Sequence, residues 1–152
     1  MIIRSMKSED VARVAEIEKQ CFSQPWSKEA FAAALTDANA VFLVGAELDE
    51  NAKAELVLGY IGMYQSPPEG EITNVAVAKD FRGKGLGRQL VDAIKEKASE
   101  IGIREIYLEV RQSNESAIHV YGSAGFDEIG IRKGFYDFPK EDARIMKCEI
   151  SQ

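Results

Sequence analysis

Residues 81–90 read FRGKGLGRQL. Gly83, Gly85 and Gly87 alternate with other residues and stand among Arg82, Lys84 and Arg88. An apolar stretch, ITNVAV at 72–77, ends just before them. From Leu86 onward Leu90, Ile94, Ala98 and Ile101 recur at helical spacing. A strand, a bare turn and a helix in that order leave the chain few alternatives. Successive backbone N–H groups in such a turn, leading into a helix N-terminus, form a nest for an anion. Glycine permits the positive φ and the close approach this needs. Phosphate or pyrophosphate is the natural ligand, and a glycine-rich turn without a ligand is the alternative. Two phosphate patterns do not fit. The P-loop requires Ser or Thr after its lysine, where this chain has Gly85 after Lys84. The dinucleotide pattern G-x-G-x-x-G fails because the three glycines fall at even spacing.

The 152 residues, 45% apolar, fit one domain with a single core, expected over 1–152. No apolar run reaches the length of a membrane span. The start, MIIRSMKSEDV, meets charge too soon for a signal peptide. Cys21 and Cys148 stand far apart and are expected to be reduced core thiols of a cytoplasmic protein. With His119 the single histidine, no metal site is expected. The net charge of −6, from 19 basic and 25 acidic residues, disfavours a nucleic-acid binder. It would attract a basic substrate, or serve only solubility.

Along the chain, residues 2–4 read as a strand. Ser8 reads as the N-cap of a helix carrying Val11, Val14, Ala15 and Ile17 to about Cys21. Ser27 caps a second helix with Ala30, Phe31, Ala34 and Leu35. Residues 40–48, 56–65 and 71–78 are β-rich runs separated by turns at 47–57 and 66–71. The helix from Leu86 is followed by a strand at 105–110 and a helix capped by Asn114 that ends at Gly125. Strands at 126–132 and 143–150 close the chain. The order β α α β β β α β α β β predicts an α/β fold. Its mixed sheet of about seven strands is parallel in character in the second half and antiparallel at both ends, with helices on both faces.

Arg82-x-x-Gly85-x-Gly87 after an apolar strand resembles the [QR]-x-x-G-x-[GA] motif of GCN5-related N-acetyltransferases (GNAT), and the element order matches that family along essentially the whole chain. The resemblance implies that Arg82, Gly83, Lys84, Gly85, Leu86 and Gly87 hold the pyrophosphate of acetyl-CoA. Three further stretches resemble the bacterial ribosomal-protein-alanine N-acetyltransferases: CFSQPWS (21–27), LEVRQSNESAIHVYGSAGF (108–126) and EDARIMK (141–147). Val120 and His119 depart from the pattern, as does Phe135, where a tyrosine is frequent.

Acetyl transfer from a thioester to an amine needs a held carbonyl, a neutral amine, a base and an acid. The resemblance implies that Val75, Ala76 and Val77 bind the cofactor, with backbone groups of Val75 and Val77 pairing with its pantetheine arm. In EIYLEVR, Ile106, Leu108 and Val110 share one face and Tyr107, Glu109 and Arg111 the other. Burial of Glu109 would raise its pKa toward that of a useful base. A surface pair with Arg111 or a lysine is the alternative. The resemblance implies that Glu109 is the proton acceptor, with Glu71 as rival base or substrate contact. Tyr121 lies two helical turns after Asn114. The resemblance makes it the acid that protonates the thiolate and gives Asn114 a cofactor contact. A core tyrosine and a plain N-cap are the alternatives. By family position Trp26, with Pro25 and Ser27, would wall the peptide site. Tyr136, in the loop before the last strand, would cover the peptide, and Glu141 and Asp142 would attract a basic residue after the first. An α-amine with pKa about 7.7–8.0 is roughly 10–20% neutral at pH 7, against about 0.04% for lysine. The expectation is a monomeric N-terminal alanine acetyltransferase acting on a small-subunit ribosomal protein, with no nucleic-acid or membrane partner. A lysine or small-amine acetyltransferase, or a non-catalytic cofactor-binding module, is the alternative.

Overall fold

Period-two patterning is realised residue by residue in strand β5 (Glu105–Arg111), where Ile106, Leu108 and Val110 are buried between half-exposed neighbours. A computed structural model describes residues 1–151. The other elements are β1 (Ile2–Ser5), α1 (Val11–Cys21), α2 (Lys28–Ala34), β2 (Ala40–Asp49), β3 (Ala54–Ser66) and β4 (Glu69–Val77). They continue with α3 (Leu86–Glu100), α4 (Glu115–Ser123), β6 (Asp127–Tyr136) and β7 (Glu141–Glu149). The strands form one seven-stranded sheet in the order β1-β2-β3-β4-β5-β7-β6. Only β4 and β5 run parallel, across the α3 crossover, and every other pair is antiparallel. The expected mixed sheet is therefore present.

Two cores flank the sheet. On one face Leu86, Leu90, Ile94 and Ala98 of α3 pack with Ile61, Ile72, Ile106, Leu108 and Tyr121. On the other, Val14, Ile17 and Phe31 of α1 and α2 pack with Phe42, Val44, Tyr60 and Ala76. Ser27 caps α2 by accepting from the Ala30 N–H at 3.1 Å. Asn114 caps α4 by accepting from the Ala117 N–H at 3.2 Å. Gly125, at φ +96°, follows the α4 C-cap in the left-handed region.

Ser8 does not cap α1. Residues Ser8–Asp10 form a 3-10 turn, and Ser8 donates to Glu9 at 2.8 Å. Asp10 takes over because its carboxylate satisfies two partners at once. It accepts from the Lys7 N–H at 2.8 Å and from both terminal nitrogens of Arg4, at 2.8 and 3.0 Å. Nor is Tyr136 in a loop, since β6 continues to it through a register irregularity after Arg132. Cys148 is a core thiol as expected, whereas Cys21 is only half-buried, at the end of α1.

The buried carboxylate of Glu18, 2% exposed, joins α1 to the sheet and to the segment before α2. It accepts from the hydroxyl of Tyr60, itself fully buried, and from the Trp26 N–H at 2.9 Å. Burying a charge is tolerated when its hydrogen bonds are complete. Tyr60→Phe leaves one Glu18 oxygen without its donor. The expected loss is about 1–3 kcal/mol in urea unfolding.

Candidate active site

The site begins where the sheet splits. β4 pairs with β5 only from Glu69↔Glu105 to Ile72↔Leu108. Beyond this β5 continues with β7, down to Arg111↔Ala143, while β4 keeps only β3. The cause lies at Thr73. The β3–β4 register passes from Met63↔Ile72 to Gly62↔Asn74, so two residues of β4 face one of β3. Such a bulge bends its strand and increases its twist. A wedge opens between β4 and β5.

The wedge exposes one edge of β4. The Ala78 N–H donates to the Leu58 carbonyl of β3 at 2.7 Å. Backbone groups two residues apart point the same way, so Ala76 also turns to β3, while Val75 and Val77 turn to the wedge. The Val77 carbonyl bears this out, accepting from Arg82 Nε at 3.1 Å and from the Cys21 thiol at 3.6 Å. Of the three expected cofactor-binding positions on this strand, Ala76 is the one that alternation turns away, with its side chain in the α1-side core.

At the wedge's end the turn 82–85 leads into α3, whose N-cap is Gly85 at φ +81°. Gly83 has φ +78°, and no atom lies within 4 Å of where a Cβ on Gly83, Gly85 or Gly87 would sit. The first N–H groups of a helix have no partner within it. The bare turn, those donors and the free edge of β4 fit an extended ligand with an anionic end, as acetyl-CoA is. Three side chains lie otherwise than the motif suggests. Arg82 folds back, donating to Val77 and, at 2.9 Å, to Cys21 Sγ. Leu86 is buried in the α3 core, so only its backbone is available. Lys84 stands over the Phe81 ring at 5.6 Å. Asn114 uses Oδ1 on its helix cap, leaving its NH2 as the group able to reach a ligand.

The wedge's far wall carries the titratable groups. Glu71 and Tyr107 are register partners, so Glu71, Tyr107, Glu109 and Arg111 share the face on which Tyr64, the partner of Glu71 across β3, also lies. Glu71 is exposed, whereas the Glu109 side chain is 19% exposed. Glu109 Oε2 is buried with no hydrogen-bond partner, and Oε1 faces Arg132 Nη1 at 3.8 Å. Burial raises the Glu109 carboxyl above its usual value; Arg132 opposes the rise and Glu71 adds to it. Arg111 is not its partner, donating instead to the carbonyls of Asp137 and Pro139, each at 2.9 Å, and to Glu141 at 3.2 Å. Tyr121 reaches this group from α4. Burial and nearby Tyr136 raise its hydroxyl above the ordinary tyrosine value. Burial and Glu109 push Tyr136 up to about 12.

The structure thus gathers the edge of Val75 and Val77, Glu71, Glu109, Tyr121 and Tyr136. Trp26 sits apart, against Phe31, Phe42 and Tyr64 with ring centroids 5.2, 6.0 and 6.4 Å away, and meets the site's rim through Tyr64. Glu141 and Asp142 are already engaged. Glu141 accepts from the Ser113 N–H at 2.6 Å as well as from Arg111, and Asp142 accepts from the Gly134 N–H at 2.8 Å. Sequence reasoning passed over Arg132, because its neighbour Glu109 comes from a strand two positions away in the sheet. It also passed over the Arg82–Cys21 contact, which links positions 61 residues apart. A cavity of about 530 Å³ lies elsewhere, between Met1, Ile3 and Leu43 and the Gln89–Glu100 face of α3.

Two stability measurements check this geometry. A carboxyl whose folded pKa is raised contributes stability below its unfolded pKa and loses it as pH rises through the folded one. Glu109→Gln is therefore expected to raise the unfolding midpoint at pH 7, with the gain vanishing near pH 4. Gly85→Ala meets no clash but places a side chain at positive φ. The expected cost is about 1–2 kcal/mol in urea unfolding.

Comparison with known proteins identifies the family. The model of the acetyltransferase (GNAT) family matches residues 11–126. The putative [ribosomal protein bS18]-alanine N-acetyltransferase of Bacillus subtilis is 34% identical over 150 residues, covering 99% of this chain and 96% of that protein. The [ribosomal protein bS18]-alanine N-acetyltransferase of Escherichia coli K12 is 32% identical, covering 98% and 97%. The crystal structure of the E. coli ribosomal-protein-S18-alanine N-acetyltransferase superposes with a TM-score of 0.85 at 31% identity, over 99% of this chain and 94% of that one. Ard1 from Thermoplasma volcanium, at 23% identity and a TM-score of 0.86, shares the fold. The chain belongs to the GNAT acetyltransferase family and is an acetyl-CoA-dependent N-acetyltransferase.

Proposed function

We propose that this chain, 1–152 acting as one monomeric catalytic domain, acetylates the α-amino group of a protein that begins with alanine, a small-subunit ribosomal protein. The observation that carries the reading is Glu109. It is a mostly buried carboxylate whose Oε2 lacks any partner, set across the wedge from the free edge of β4. Relatives at 34% and 32% identity are named for the alanine of ribosomal protein bS18, which supports an N-terminal alanine as acceptor. The setting is cytoplasmic, where such a substrate is made, and no nucleic acid or membrane is involved.

Acetyl-CoA, when bound, supplies the acetyl thioester; the rest falls to the chain. The backbone of Val75 and Val77 aligns the arm along β4, and the turn from Arg82 to Gly87, with Asn114, holds its anionic portion. Glu109 takes the proton from the incoming amine, directly or through one water. Tyr121 donates from its hydroxyl to the departing sulfur. Glu71, Tyr136 and Trp26 bound the peptide's path. An α-amine suits this base, because roughly 10–20% of it is already neutral at pH 7 and a weak carboxylate need not strip a lysine-like ammonium.

Two peptides test the reading by intact mass after incubation with acetyl-CoA. One begins with free alanine and a basic residue and lacks lysine; the other has a blocked N-terminus and one lysine. A single acetyl on the first alone is expected. Acetylation of the second alone would make the enzyme a lysine acetyltransferase. Glu109→Gln and Tyr121→Phe are each expected to lower kcat about 10²–10⁴-fold with acetyl-CoA binding retained. Activity that survives Glu109→Gln would move the base to Glu71 or to water.

A further inference from the structure

Glu109 has one cation within ion-pair reach among the described residues, Arg132 of β6. The pair is loose. Its 3.8 Å separation exceeds a hydrogen bond, and the Arg132 side chain is 57% exposed. Arg132 is held otherwise by the Phe135 ring, 5.4 Å from its guanidinium carbon. It belongs to the last regular pair, Arg132↔Ala143, before the β6 register breaks. Arg111, the other guanidinium on this face, is tied to two loop carbonyls and Glu141 and lies 4.4 Å over the Tyr136 ring.

The groups around Glu109 make this placement consequential. Glu71 faces it from β4, Tyr136 and Arg132 from β6, and Tyr121 stands behind Tyr136 on α4. On β5 itself Tyr107 and Arg111 flank it; on β7 its direct partner is the uncharged Ile145, with Lys147 beside Tyr107 and paired to Glu105 and Glu149. Without Arg132 the carboxylate would face a second carboxylate and partial burial, and the guanidinium of Arg111 is committed to loop carbonyls and Glu141. The acceptor for acetyl transfer arrives mostly as an ammonium. It seeks the same carboxylate, and two cations at one carboxylate repel.

We propose that Arg132 is a positioning residue: its guanidinium occupies, against Glu109, the place of the substrate ammonium, and it swings away from Glu109 toward solvent when that amine arrives. Arg132 keeps the base ionised before binding and yields the position on binding. Lysine at this position would preserve the effect, whereas a neutral residue would abolish it.

The inference rests on Glu109 as base, and the test separates the two ideas. Carboxyl 13C NMR reads the Glu109 titration in the protein without substrate, with Glu109→Gln to assign the resonance. The pH profile of kcat/KM is measured in parallel for wild type, Arg132→Gln and Arg132→Lys, using the alanine peptide. In Arg132→Gln the carboxyl is expected to titrate at higher pH, and the acid limb of kcat/KM to move up with it. Each pH unit of movement reads as an about tenfold loss below the limb. On the plateau KM for the peptide falls, because no guanidinium has to be displaced. Arg132→Lys restores both. A Glu109 titration identical in wild type and Arg132→Gln overturns the role of Arg132 and leaves the base assignment intact. A titration that moves while the acid limb stays fixed removes Glu109 from the role of base and leaves the ion pair standing.

Discussion

The parting of β4 from β5 after Ile72 governs the rest of the molecule. A central strand loses its partner in the middle of the sheet, and the N–H and C=O groups of Val75 and Val77 are turned to an open wedge. Unpaired backbone groups are costly when shut away from solvent, so the wedge must stay accessible to water or to a ligand. At its far end the Val77 carbonyl is satisfied from within, by Arg82 and the Cys21 thiol. The same bulge that opens the edge at Thr73 sets Glu109 across from it, because β5 runs on straight with β7. The exposed edge of β4 and the carboxylate across from it are thus consequences of one irregularity.

Burial is what favours Glu109 over Glu71 as the proposed base. The two carboxylates lie on one face and Glu71 adds to the rise at Glu109, but only Glu109 is withdrawn from water. Desolvation is what brings a carboxyl closer to the working range of a base at neutral pH. A full rise would leave it protonated and useless. Arg132 opposes the rise and favours the charged form.

Local rules made much of this legible. Alternation in 105–111 gave the faces of β5, and the Ser27, Asn114 and Gly125 signals marked helix ends where the structure has them. Ser8 misled because the cap preference of a serine was weighed without Arg4. That residue's guanidinium, brought in by β1, recruits Asp10 and moves the turn. Glu141 and Asp142 read as free acids because nothing local shows that Arg111, Ser113 and Gly134 come to meet them. Arg132 was invisible for the same reason. Its role depends on β7 lying between β5 and β6, an order that periodicity does not encode. Propensity and spacing report contacts within one element; the charges of the site are paired between elements.

Tyr121 shows how core and site share a residue. Its ring packs among α3, α4 and Phe126, 5.8 Å between centroids, while its hydroxyl lies near Tyr136. Burial and that neighbour keep it firmly protonated, as a proton donor must be. The same rise makes full ionisation harder than for a free tyrosine, whose pKa of about 10 already exceeds the about 8.5 of a cysteine-like thiol. Complete proton transfer to the sulfur is therefore uphill. In the proposed role the hydroxyl contributes by donating a hydrogen bond to charge as it develops. Such a donor works from a fixed position more than from acidity. That is why it can be built into a core helix, where packing supplies the rigidity.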